Sequence, residues 1–226
     1  MKFSEILRKE ADPIWQASFD HPFVQGVGQG TLPVEKFKYY VQQDAYYLSH
    51  FARVQALGAA KSNSLEVTNR MASHAQGTYE AELELHRAFS EILGITEEEK
   101  AAFKPSPTAY AYTSHMYRAA YEGHLGDIIA AILPCYWLYY EVGEQLKDCK
   151  PDHPVYQKWI ATYGGDWFRS LVMEQIDRLN VIAEQVTETD RERMKEHFLI
   201  SSNYELSFWE MAYQMETWDS LTKKGF

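Results

Sequence analysis

DIIAAILPCYWLYYE, residues 127–141, is the stretch on which the reading of the fold turns. Residues 128–140 carry no charge, and an acid stands at each end. A bilayer-spanning helix needs about 20 apolar residues, so this run is too short to cross a membrane and reads as the central helix of a soluble domain. Ile128, Ile132, Cys135, Tyr139, Val142 and Leu146 recur at alternating spacings of four and three, which places them on one helical face. Pro134 interrupts the pattern: it removes an N–H and crowds the carbonyl of Ala130, predicting a kink. Cys135 follows within a cluster of Tyr136, Trp137, Tyr139 and Tyr140. Such a thiol has two readings. It is either a nucleophile in a pocket for a flat ligand or a small buried hydrophobe, the commoner fate of a free cysteine.

Outward from this run, nearly every segment carries helical periodicity and none alternates like a strand. Residues 4–19 predict a helix with Ser4 as N-cap and Pro13 as a bend, presenting Ile6, Leu7, Ile14 and Trp15. GVGQG at 26–30 fails the GxGxxG spacing and follows no strand, so a turn is expected there. A helix over 34–62, with Thr31 near its cap and Pro33 in its first turn, carries the stripe Phe37, Val41, Asp44, Leu48, Phe51. Residues 64–93 carry Val67, Met71, His74, Tyr79, Leu83, His86 and Phe89, and Thr96 with Glu99 forms a capping box for a short helix. Ser106-Pro107 opens a helix with Tyr110, Tyr112, Met116 and Tyr117. A shorter helix carries Val155, Trp159 and Ile160, and Asp166 suits the N-cap of another reaching about residue 185. The last helix, about 188–216, has the inward stripe Phe198, Ser202, Glu205, Trp209, Ala212.

Composition narrows the function. The chain has 226 residues and no evident linker, so one domain over residues 1–226 is expected. A hydrophobic content of 46% is ample for a core, and aromatics at 15% are abundant. A formal charge of −10 argues against nucleic acid and against anionic membrane surfaces, both of which call for clustered Lys and Arg. Cys135 and Cys149 lie on one expected helix about 21 Å apart at 1.5 Å per residue, too far to bridge. The opening MKFSEILRKE lacks the apolar core of a signal peptide, so a cytoplasmic protein with reduced thiols is expected.

Three helices each place one reactive side chain on an otherwise apolar face: Asp44, Cys135 and Glu205. A buried carboxylate needs a partner or a cavity. Asp44 has either a buried hydrogen bond or a cavity to face, and Glu205 either a buried cation or the same cavity. One shared cavity explains all three together. A thiol of pKa about 8.5 needs an activator at neutral pH. A desolvated carboxyl can supply acid and base there, while a second carboxylate and aromatic faces grip an amino-heterocycle. Metal chemistry finds no support. The chain contains no Glu-x-x-His, no HExxH and no cysteine pair for zinc. His50, His74, His86 or His115 could in principle serve a haem as axial ligand.

A set of stretches in order then carries a resemblance: HPFVQGVGQGTL at 21–32, FKYYVQQDAYYL at 37–48, SHAQGTYEAE at 73–82, KPSPTAYAYTSHMY at 104–117, LPCYWLYYEVG at 133–143, WIATYGGDWF at 159–168 and ISSNYELSFW at 200–209. Along nearly its whole length the chain resembles the TenA/thiaminase II family of thiamin-salvage enzymes. That resemblance implies an all-α, haem-oxygenase-like bundle assembled as a homotetramer. It implies a hydrolase that deaminates 4-amino-5-aminomethyl-2-methylpyrimidine to the hydroxymethylpyrimidine, and that also cleaves thiamin to the same pyrimidine and the thiazole alcohol. The family's nucleophile falls on Cys135, its acid/base glutamate on Glu205 and its pyrimidine-binding aspartate on Asp44, with Tyr47, Tyr112, Tyr139 and Tyr163 as aromatic substrate-binding positions. The implied route is a covalent cysteine–pyrimidine adduct, with no metal or organic cofactor. The alternatives are a non-catalytic bundle of the same fold that binds a pyrimidine or haem, and an indirect regulator of protease expression.

Overall fold

The computed structural model describes residues 1–219, apart from the side chains of residues 82, 83 and 86. The expected stripe members Leu83 and His86 therefore lie outside the described side chains. Among the described residues the chain is all α: α1 (Phe3–Phe19), α2 (Pro22–Gln29), α3 (Val34–Ala60), α4 (Leu65–Leu93), α5 (Glu97–Ala102), α6 (Pro107–Glu122), α7 (Leu125–Leu146), α8 (Pro154–Tyr163), α9 (Asp166–Gln185) and α10 (Glu188–Gln214). None of these helices is long and apolar enough to cross a membrane.

The uncharged run forms α7, and α7 is the hub: it packs against α3, α6, α8, α9 and α10. Ile128, Ile132, Leu133, Leu138 and Val142 on it are fully buried. Each such aliphatic side chain contributes about 1.5–3 kcal/mol. The helix continues through Pro134 rather than stopping there. Its first turn is held by Asp127, which is enclosed. Asp127 accepts 2.8 and 2.9 Å bonds from the Arg193 guanidinium and a 2.7 Å bond from the backbone N–H of His124. Cys149 lies just past the end of α7, rather than on it as expected, and both cysteines are free.

Local capping chemistry accounts for many helix starts. Ser64, Ser106, Thr96 and Thr187 each accept a bond from a backbone N–H in the first turn, and the last two complete capping boxes with Glu99 and Asp190. Three expectations about caps are corrected. Lys2 precedes α1, so Ser4 is inside the helix, where its N–H meets the Asn180 side chain. Pro33, rather than Thr31, is the residue before α3. Gly165 precedes α9, so Asp166 is its first residue, where a carboxylate favours the positive helix end. Ile6, expected on the inward face of α1, is exposed, whereas Leu7 and Trp15 are fully buried.

The GVGQG stretch is corrected from turn to helix. The His21 ring accepts the Phe23 N–H, Pro22 occupies the first helical position, and α2 ends at Gly30, whose φ of 70° needs a residue without Cβ. Burial of Phe23, Val24 and Val27 offsets the poor helix propensity of the glycines between.

A second glycine fixes the site. Gly143 on α7 faces the end of α8 so closely that a Cβ there would lie 2.5 Å from the carbonyl carbon of Tyr163. The two backbones meet directly, and Tyr163 is thereby set beside Tyr139, with ring centroids 4.9 Å apart. Beneath them lies an aromatic core in which Trp209 stacks on Phe23 and Tyr40 at 5.5 and 5.9 Å. Such pairs add about 0.5–1.5 kcal/mol each beyond their burial.

Candidate active site

A cavity of about 350 Å³ opens beside the middle of α7, between α3, α4, α8 and α9. That volume is in the range of small-molecule sites, about 300–1,000 Å³. Asp44, Cys135, Tyr139 and Tyr163 line it, joined by Tyr136 and Phe168. The polar residues on the stripes of α3 and α7 therefore do face a shared space. Asp44 is buried at 6% exposure, and its charge is felt by Tyr40, Tyr139 and Tyr163, which surround it. Cys135 is enclosed by protein on most sides, yet it keeps some accessible surface because the cavity reaches it.

Tyr47, Tyr112 and Glu205 stand off the cavity wall and form a buried group within electrostatic reach of Cys135. The Tyr47 and Tyr112 rings pack at 4.8 Å, and Tyr204 stacks on Tyr112 at 5.1 Å. The Tyr112 hydroxyl donates a 2.6 Å hydrogen bond to Glu205 Oε1. A tyrosine thus takes the place of the buried cation that the sequence left open as the partner of Glu205.

Burial dominates the titration of this group. Loss of water pushes the Glu205 carboxyl up to about 8, against the Tyr112 hydrogen bond, which favours the ionised form. Burial also raises the Cys135 thiol well above its ordinary value, and the negative charges of Glu205 and Asp44 add to that. The Tyr47 hydroxyl acts the other way on the thiol. At neutral pH the resting pair is therefore a thiol and a carboxylic acid.

The structure adds a polar chain on the far side of the cavity that the sequence did not reveal. The Tyr136 hydroxyl lies 3.0 Å from His74 Nδ1. His74 Nε2 lies 3.3 Å from Glu174 Oε2. Glu174 is held in turn by Arg70, at 3.0 and 2.6 Å, and by Arg178 at 2.8 Å. Gln55 donates to the Tyr136 oxygen while its own carbonyl accepts a 2.9 Å bond from Thr78. In the sequence, His74 shows only as one more periodic position of α4. Its partners lie 62 and 100 residues away, beyond the reach of any local pattern.

Three of the histidines considered for haem have defined neighbours. His50 pairs with the Tyr117 hydroxyl at 2.9 Å, His115 packs on His197 at 5.3 Å, and His74 is in the chain just described. The side chain of His86 lies outside the described residues. Among the described residues no group of three or more His, Cys, Asp or Glu is placed to hold a metal ion.

The family model described as TENA/THI-4/PQQC matches residues 8–215. The chain belongs to this family. It is 64% identical to the aminopyrimidine aminohydrolase of Bacillus subtilis (strain 168), over 99% of this chain and 95% of that one. Among solved structures it superposes on a TenA homologue from P. horikoshii OT3 with a TM-score of 0.87, at 30% identity, over 95% of this chain and 99% of that chain. A domain with a heme oxygenase-like fold from Shewanella denitrificans OS217 matches with a TM-score of 0.73 at 16% identity, over 98% of this chain and 95% of that one. The expected all-α, haem-oxygenase-like architecture is therefore the one found. Of the residues named from the resembling motifs, Asp44, Cys135, Tyr139 and Tyr163 line the cavity beside α7, and Tyr47, Tyr112 and Glu205 do not.

Proposed function

We propose that this protein is a thiamin-salvage hydrolase. It converts 4-amino-5-aminomethyl-2-methylpyrimidine to its hydroxymethyl counterpart and ammonia, and cleaves thiamin to the same pyrimidine and the thiazole alcohol. The observation that carries this reading is a cavity-facing thiol, Cys135, within electrostatic reach of an enclosed carboxyl that titrates near 8, Glu205.

The chemistry follows from that pairing. Asp44, on the cavity wall, accepts hydrogen bonds from the ring's amino side and fixes its orientation, while Tyr139, Tyr163 and Phe168 border the ring. The Cys135 sulfur adds to the ring carbon next to N1. N1, which must reach past the resting cavity wall to meet Glu205, takes the proton of that carboxylic acid, and the carboxyl collects the thiol proton, so it ends the step protonated, as it began. Aromaticity is lost, and the amine or thiazole departs from the exocyclic methylene. Water adds there, and expulsion of the sulfur restores the ring. The adduct divides one difficult displacement into easier steps. Tyr112 tunes Glu205, and Tyr47 favours the thiolate.

Residues 1–226 form one catalytic domain in this reading. It works as a homotetramer in the cytoplasm, in keeping with the family resemblance and with two free cysteines. The test is ammonia release from the aminomethylpyrimidine, with thiamin cleavage measured in parallel. Wild type should turn over, and Cys135→Ser should lose more than about 10³-fold in kcat, as expected of a nucleophile. Equal turnover by the two proteins would remove the thiol from the reaction.

A further inference from the structure

Hydrolysis by the route above leaves one proton without a handler. The water that adds to the exocyclic methylene must lose a proton, and Glu205 is engaged with N1. The Tyr136–His74–Glu174 chain, whose first two members line the cavity, has proton positions that its partners determine. Glu174 is ionised, because its hydrogen bonds to Arg70, reinforced by Arg178, hold it down at about 2. The Glu174 carboxylate lies 3.3 Å from His74 Nε2 without a hydrogen bond between them, and its negative charge favours the tautomer that carries the ring proton on Nε2. Nδ1 is then the acceptor, and the Tyr136 hydroxyl donates to it across 3.0 Å. The Gln55 amide is oriented by Thr78, so it donates to the Tyr136 oxygen. A phenolic oxygen both donates and accepts. Gln55 donates to it, and Tyr136 is among the residues that line the cavity, where a water molecule would meet it. Burial keeps His74 below the ordinary histidine range, so the ring is neutral at pH 7 and Nδ1 is unprotonated when the step begins.

We propose that Tyr136, His74 and Glu174 form the proton relay that deprotonates the attacking water, with Tyr136 as the catalytic residue that meets it and His74 and Glu174 acting through Tyr136. The step balances as follows. The water oxygen forms a C–O bond to the exocyclic methylene, whose π electrons move into the ring and are released when the Cys135 sulfur leaves. One water proton passes to the Tyr136 oxygen as the Tyr136 proton passes to His74 Nδ1. The imidazolium so formed is stabilised by Glu174 at 3.3 Å. It returns its proton to the released ammonia or to solvent. The relay serves both substrates, because water addition is common to them. It rests on the proposed hydrolase reaction.

The experiment separates departure of the leaving group from water addition. Wild type, Tyr136→Phe and His74→Gln would be mixed with thiamin and quenched rapidly, with thiazole alcohol and hydroxymethylpyrimidine measured separately. In both variants a burst of thiazole alcohol equal to the enzyme sites should survive at near the wild-type rate. Steady turnover should fall by about 10²–10⁴-fold, and the covalent pyrimidine adduct should accumulate by intact mass. Azide needs no base, so it should restore turnover in the variants and yield the azidomethylpyrimidine. Loss of the burst with both products slowed equally, or no azide product from either variant, would overturn the relay and leave the chain a structural brace between α4, α7 and α9. Absence of both ammonia release from the aminomethylpyrimidine and thiamin cleavage by wild type would instead defeat the hydrolase reading itself.

Discussion

The Tyr112 hydroxyl donates to Oε1 of Glu205 across 2.6 Å, and together with burial this bond sets where the carboxyl titrates. The bond favours the carboxylate, so it works against burial and keeps the group near 8 instead of higher.

A pH dependence follows. Glu205 must be protonated to serve N1, so kcat/KM should fall as pH rises through about 8. Tyr112→Phe removes a group that stabilises the ionised form. The carboxyl then titrates higher, and the alkaline limb should move upward. Glu205→Gln should abolish that limb and lower kcat by about 10²–10⁴-fold. A limb that stays in place in both variants would assign it to another group.

Asp44→Asn should raise KM and lower kcat together. The change turns an all-acceptor group into a mixed donor and acceptor at the point where the ring's amino side is held. Steady-state kinetics alongside a thermal melt decide the matter. A lower melting temperature with unchanged kinetics would make Asp44 a structural group only.

The two thiols provide an internal comparison. Cys135 is reached through the cavity, whereas Cys149 lies beyond the end of α7, next to a separate surface hollow with Lys147 and Lys150. Saturating hydroxymethylpyrimidine should shield Cys135 from iodoacetamide and leave the labelling rate of Cys149 unchanged. Peptide mass spectrometry reads each site, and inactivation should follow Cys135 alone. Inactivation that tracks Cys149 would mean the nucleophile is misplaced.

Stability has its own vulnerable point away from the cavity. Asp127 is enclosed and pairs in two bonds with the partly exposed Arg193, so Asp127→Asn should cost about 1–3 kcal/mol in urea unfolding. At a temperature where the variant remains folded, kcat should be close to wild type. A large loss of kcat in folded protein would show that the start of α7 communicates with the site.

Much of the helical layout was legible because its signals are local. The stripes of α7 and α10 appear in the burial pattern as periodicity placed them, and the caps at Ser106, Thr96 and Thr187 form as their sequences suggest. The errors are local too. Glycines in GVGQG suggest a turn, yet α2 is held by what it packs against, which a local pattern does not contain. The carboxylates of the site were visible as polar residues in apolar stripes. Their surroundings were not. Nothing near Glu205 in the chain announces Tyr112, 93 residues away, and nothing near His74 announces Glu174. Tyr47 and Tyr112 show why a motif does not give a position. Both belong to the matched stretches, yet they stand beside Cys135 off the cavity wall rather than on it.

The contact at Gly143 bears on how this cavity can be changed. Its Tyr139–Tyr163 corner is spaced by main chain lying against main chain, and main chain has no rotamers with which to adapt. Substitution at position 163 can repaint that corner, exchanging ring for aliphatic or hydroxyl for hydrogen, without moving it. A single methyl group at position 143 would instead push the end of α8 outward and reset the width of the opening. Redesign for a bulkier heterocycle therefore has two separate controls, one for chemistry and one for calibre, and the second is a residue that never touches the ligand.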